Sequence, residues 1–175
     1  ASVAQPTEIL PEPITPEGNF RYADLLIDTR RGRLICVRED HSQSGEPVNT
    51  LISLNLNNPE DIQILATGAD FYASPNLSKD GSRLCWICWY HPNMPWDGTE
   101  LWVAEVTEDG TLDQQKRVAG GVEESIFQPQ WSPDGTLYFV SDRANWWNLY
   151  RVRDQKIEPL FPLPAEFGLP QWVFG

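Results

Sequence analysis

Gln128-Pro-Gln-Trp-Ser-Pro-Asp134-Gly135-Thr-Leu-Tyr-Phe-Val-Ser-Asp142 reads as strand, tight turn, strand. In the turn, Pro133 sets φ, Asp134 can hydrogen-bond its own backbone, and Gly135 takes φ > 0 without steric cost. Leu137-Tyr-Phe-Val140 is a run of large apolar and aromatic side chains suited to a buried, pleated strand.

The stretch recurs. Ser78-Lys-Asp-Gly81 is followed by Leu84-Cys-Trp-Ile-Cys-Trp89, and Asp28-Thr-Arg-Arg-Gly32 by Leu34-Ile-Cys-Val37. The turn glycines Gly32, Gly81 and Gly135 are spaced by 49 and 54 residues. After each strand come a polar loop, a third strand (Thr50–Leu54, Leu101–Val106, Leu149–Val152) and a short outer strand (Ile62–Leu65, Lys116–Ala119, Ile157–Leu160). Four strands in each unit of about 40–50 residues is the pattern of a β-propeller blade. Blades pack on neighbours through both faces, which accounts for strands such as Leu84–Tyr90 that are apolar on both sides. The expected fold is all-β: a partial β-propeller of four-stranded antiparallel blades, about three of them plus flanking strands.

The expected division is residues 1–19 as the end of a preceding blade, 20–66, 67–119 and 120–162 as three blades, and 163–175 as the first strand of a following one. Gly168-Leu-Pro-Gln-Trp172 echoes Phe127-Gln-Pro-Gln-Trp131 in that last segment. Propellers close from about four to eight blades. Three blades and a strand leave apolar faces open. The sequence therefore reads as one incomplete propeller region within a longer protein, or as a chain that associates with copies of itself, as a homo-oligomer, or with another chain.

With 15 Pro and 12 Gly the chain is rich in turns, and no segment keeps a helical period. A net charge of −12 argues against nucleic acid and anionic membrane as partners, and is compatible with a cationic ligand such as a peptide amino terminus. No apolar run is long enough to span a membrane, and no secretory leader is legible at Ala1. Cys36, Cys85 and Cys88 are odd in number and sit in apolar strands, which points to reduced, buried thiols and a cytoplasmic setting. Cys85-Trp-Ile-Cys88 matches a metal or redox spacing. On a strand, however, residues three apart face opposite ways, so the two thiols are expected to pack rather than bind. Nothing in the sequence requires a metal or a cofactor.

His41 and His91, the two histidines, stand beside no nucleophile pattern, and G-x-S-x-G is absent. In a four-stranded blade, the loop before the inner strand and the loop between strands two and three open on one face. Asp40–Pro47, His91–Gly98, Gly120–Phe127 and Asp142–Trp147 are therefore expected together. Glu123 and Glu124 lie in the third of these. Adjacent carboxylates there are either an ammonium-binding pair or a solvated acidic loop. Asp142, Arg143, Trp146 and Trp147 are either contact residues or capping and packing residues.

Several segments resemble the propeller of the prolyl oligopeptidase family, with the likeness nearest to bacterial enzymes of the dipeptidyl aminopeptidase and acylaminoacyl-peptidase type. They include Phe20-Arg-Tyr-Ala-Asp24, Leu34-Ile-Cys-Val-Arg-Glu-Asp-His41, Ala69-Asp-Phe-Tyr-Ala-Ser-Pro75, His91-Pro-Asn-Met-Pro-Trp-Asp-Gly-Thr-Glu-Leu-Trp102, Trp131-Ser-Pro-Asp-Gly135 and Ser141-Asp-Arg143. The resemblance implies a serine peptidase whose propeller covers a C-terminal α/β-hydrolase domain with a Ser-Asp-His triad. That domain is not in this sequence, so the chain is expected to carry no catalytic residue of its own. The propeller would gate and position oligopeptide substrates. In the dipeptidyl branch, loop glutamates hold the substrate's free amino terminus, and Glu123 and Glu124 stand in the similar position. Ser125 follows where an acid is expected, which leaves strict dipeptidyl specificity open. The reading from a different class is a stand-alone propeller that binds a protein or ligand without catalysis.

Overall fold

In the computed structural model of the chain, residues 13–168 are described; of the segment expected at 163–175, residues 163–168 form no strand and 169–175 lie outside the described residues, as does most of segment 1–19. Twelve strands form three four-stranded antiparallel sheets. The first holds β1 (Phe20–Asp28), β2 (Arg33–Asp40), β3 (Val48–Asn55) and β4 (Asn58–Ala66). The second holds β5 (Phe71–Leu77), β6 (Arg83–Trp89), β7 (Glu100–Val106) and β8 (Leu112–Gly120). The third holds β9 (Ile126–Trp131), β10 (Leu137–Ser141), β11 (Asn148–Arg153) and β12 (Lys156–Pro159). Strand order follows chain order in each, as expected of propeller blades, and the inner strands β1, β5 and β9 lie side by side. There is no helix among the described residues, and so none long and apolar enough to cross a membrane.

The strand period builds two cores between sheets. In β6, Leu84, Trp86 and Cys88 face the first sheet and pack with Ile35, Val37 and Leu51, whereas Cys85 and Ile87 face the third and pack with Ile126, Leu137 and Phe139. The Cys85 and Cys88 sulfurs thus belong to different cores and cannot share a ligand. Cys36 lies in a third cluster, with Leu34, Ile52 and Leu54. Burial pushes all three thiols up to about 12, so they are inert, protonated packing groups at neutral pH.

A Ser/Thr-x-Asp-Gly-Ser/Thr turn occurs three times. Asp80 accepts from Ser78 Oγ (2.6 Å) and Ser82 N (3.1 Å), Asp109 from Thr107 Oγ1 (2.5 Å) and Thr111 N (3.2 Å), and Asp134 from Ser132 Oγ and Thr136 N (3.0 Å). These hydrogen bonds hold all three carboxyls below the usual range. Gly135 follows at φ +80, and a Cβ there would meet Arg83 Nη2 at 2.6 Å. Gly135→Val should therefore lower stability by about 2 kcal/mol, read as an earlier urea midpoint. An unmoved midpoint would contradict the turn assignment.

Each inner strand is broken at a matching place by a non-glycine residue in the left-handed region: Asp24 (φ 52), Ser74 (φ 55) and Gln128 (φ 47). The register of each inner strand slips there, as in a β-bulge. Such a conformation costs roughly 1–2 kcal/mol per residue. Hydrogen bonds between blades offset it: Ser74 N donates to Asp24 Oδ2 (2.6 Å), and Asn76 Nδ2 to Gln130 Oε1 (3.3 Å).

Arginines join the blades at the turn ends. Arg31 donates to the carbonyls of Gly81 (3.0 Å), Val106 (3.3 Å) and Thr107 (3.1 Å), Arg33 to that of Gly110 (2.7 Å), and Arg83 to that of Gly135 (2.7 Å). Arg33 and Arg83 each open the second strand of their blade. In the third blade that place is taken by Leu137, the first residue of β10.

Candidate functional site

The expected loop face is assembled by direct contacts. Thr99, at the end of the His91–Gly98 loop, is buried and clamps the loop that carries Glu123 and Glu124. Its N donates to Glu124 O (3.0 Å), its carbonyl accepts from Gly121 N (2.9 Å), and its hydroxyl both donates to Ile126 O (2.9 Å) and accepts from Ile126 N (2.7 Å). Asn93 Nδ2 donates to Val122 O (2.9 Å), and Ser125 Oγ to Pro95 O (2.8 Å). On the far side, Asp142 Oδ1 accepts from Ser125 N (2.8 Å). The acidic loop is thus held from both flanks.

The two glutamates occupy different environments. Glu123 is exposed. Glu124 is about one-fifth exposed, and its Oε1 accepts three hydrogen bonds: from Ser141 Oγ (2.6 Å), Arg143 Nε (2.9 Å) and Arg143 Nη2 (2.7 Å). Arg143 also lies over the Tyr150 ring, 5.2 Å from its centroid. Asp142 feels the charges of both Glu124 and Glu166, so three carboxylates gather where Arg143 is the one cation bound to Glu124. Burial raises the Asp142 carboxyl; the backbone bond from Ser125 opposes this, and the charges of Glu124 and Glu166 add to it. Trp147 N donates to Glu166 Oε2 (2.7 Å), and the Trp147 ring lies 6.3 Å from that of Phe127. Of the residues left open by the sequence, Asp142 and Trp147 cap and pack, Arg143 is the counter-ion of Glu124, and Trp146 stays 42 % exposed.

The partnership of Arg143 with Glu124 was not legible as such. Ser141-Asp-Arg143 stood among the family-like segments, but its tie to Glu124 crosses from one loop to the next. The histidines are peripheral to this cluster. His91 Nε2 lies 3.2 Å from Glu46, with its ring edge-on to Phe71, and His41 Nε2 lies 3.1 Å from Glu39. No metal-binding group of His, Cys, Asp and Glu occurs among the described residues.

No protein-family model matches the sequence, and no curated protein does. Solved structures match closely. A puromycin hydrolase complexed with PGG superposes with a TM-score of 0.88 at 35% identity over 95% of this chain. A puromycin-hydrolyzing peptidase of Mycobacterium tuberculosis gives 0.82 at 36% identity over 91%. Prolyl oligopeptidase B of Galerina marginata, at 15% identity over 82% of the chain, gives 0.63 and shares the fold.

The chain belongs to the prolyl oligopeptidase family. Its three sheets are blades of the family's propeller, and the cluster around Glu124 and Arg143 sits on one loop face of that propeller. The chain spans about a quarter of the puromycin hydrolases it matches, 27% of their length.

Proposed function

We propose that this chain is the non-catalytic propeller segment of a cytoplasmic serine peptidase of the prolyl oligopeptidase type. It gates and positions oligopeptide substrates over a C-terminal α/β-hydrolase domain. The observation that carries this reading is the match at 35–36% identity to puromycin hydrolases across nearly all of the chain. No catalytic residue is assigned here. The division into blades over 20–66, 67–119 and 120–162 is part of the same proposal.

Within that reading, Glu123 and Glu124 receive the free amino terminus of the peptide. The excess of carboxylates over the single cation Arg143 supports this. So does the bonding of Glu124, whose three hydrogen bonds all reach Oε1 and leave Oε2 for an ammonium group. A charge-assisted hydrogen bond contributes about 1.5–3 kcal/mol, or roughly tenfold or more in affinity. In the full-length enzyme, Glu124→Gln should raise KM about tenfold for peptides with a free amino terminus and leave acylated peptides little changed. Glu123→Gln separates the two carboxylates. Equal effects of Glu124→Gln on both substrate types would overturn the amine assignment while leaving the propeller assignment standing. Absence of a serine-elbow hydrolase domain downstream would instead favour a binding propeller.

A further inference from the structure

At the opposite end of the blades from Glu124, residues of the second and third sheets line a cavity of about 160 Å³. Its floor is apolar: Val103 and Val118 from the second sheet, Leu137 and Val152 from the third, and the Trp131 ring. An apolar cavity of about 150 Å³ holds a benzene molecule. The rim differs in kind from the floor. Arg83 stands over Trp131, 4.4 Å from its centroid, and uses Nη2 for the Gly135 carbonyl. Among the described residues, Arg83 Nε and Nη1 have no hydrogen-bond partner, and Lys116 has no ion pair. The one carboxylate at the rim, Glu105, accepts from Gln114 Nε2 (2.9 Å). Gln114 itself sits at φ 49, in a bulged part of β8. Two unpaired cations against one carboxylate make a positive mouth in a chain of net charge −12.

We propose that this cleft between blades is a binding site for a small apolar monocarboxylate, of the size and shape of benzoate. The ring would fill the space between Val103, Val118, Leu137 and Val152. The carboxylate would take one hydrogen bond from Arg83, through a donor not used for the Gly135 carbonyl, and one from the ammonium of Lys116. A phosphate fits less well, since the floor offers it nothing and would desolvate its second charge. The negative charge of the whole chain does not prevent entry, because at physiological salt charges beyond about 8 Å are screened. The site uses only sheets two and three and is independent of the amine-binding proposal.

The test is calorimetric titration of the full chain with sodium benzoate and, separately, with neutral benzyl alcohol. Benzoate should bind saturably with a Kd on the order of 1 mM. Benzyl alcohol should bind at least about tenfold more weakly, and added salt should weaken benzoate alone. Lys116→Gln, at an exposed position, should weaken benzoate about threefold with no change in fold. Val118→Phe should fill the cavity and abolish binding. Equal affinity for the alcohol and the acid, no saturable binding up to about 20 mM, or undiminished benzoate binding in Val118→Phe would each overturn the proposal. If Val118→Phe does not fold, the contrast between benzoate and alcohol and the Lys116→Gln titration still decide it.

Discussion

Asp28→Ala should lower stability by about 3–5 kcal/mol, the cost of leaving a buried charge without its partner. Asp28 is 2 % exposed. Its Oδ2 accepts from Arg31 Nη1 (3.1 Å) and Arg33 Nε (3.0 Å). Arg33 is itself buried, and its Nη2 has no partner among the described residues. Burial already lowers the Arg33 guanidinium, and the bond to Asp28 is the largest opposing influence. Without the carboxylate, two cations would face each other between blades one and two, where they hold the carbonyls of Gly81, Val106, Thr107 and Gly110. The expected readout is a large fall in the urea midpoint, with a smaller one for Asp28→Glu, which keeps the charge but misplaces it. A loss below about 1 kcal/mol would mean that the pair is hydrated in solution, as surface ion pairs are.

Gly120→Ala should be comparably severe, at about 3 kcal/mol or more, and should also disturb the acidic loop. Gly120 has φ +85, and a Cβ there would overlap the Thr99 carbonyl oxygen and lie 2.9 Å from Ile126 Cγ1. The obstacle is buried backbone rather than a flexible side-chain tip, so it cannot swing away. Thr99 is the residue that clamps Gly121, Glu124 and Ile126. Displacing it would shift Glu124 relative to Arg143. Under the proposed function, Gly120→Ala should therefore weaken amino-terminus binding along with stability, whereas Glu124→Gln should affect that binding far more than the stability. Wild-type stability in Gly120→Ala would show that the strand end moves without cost, and would remove the close approach as the reason for this glycine.

The sequence alone determined the blade repeat, because its signals are local. A turn that needs φ > 0 selects Gly within a few residues of its own position, and alternation along a strand sorts side chains between two faces. Gly81 and Gly135, the divergent Cys85 and Cys88, and the strand order all follow from such short-range rules. The third Asp-Gly turn, Asp109-Gly110, obeys the same rule. It lies between the outer strands, however, away from the inner hairpin on which the repeat was aligned.

What the tertiary structure decided is what depends on partners far along the chain. Arg33 and Arg83 hold their places in the repeat, but the carbonyls they bind lie 77 and 52 residues away. The left-handed Asp24, Ser74 and Gln128 violate local preference, and a single hydrogen bond between adjacent blades, Ser74 N to Asp24 Oδ2, serves the first two. Glu123 and Glu124 look equivalent as neighbours in sequence. Only the arrival of Ser141 and Arg143 from the following loop makes one a half-buried, oriented carboxylate and leaves the other in water. Charge partnership is set by distance in space, and sequence separation carries almost no information about it.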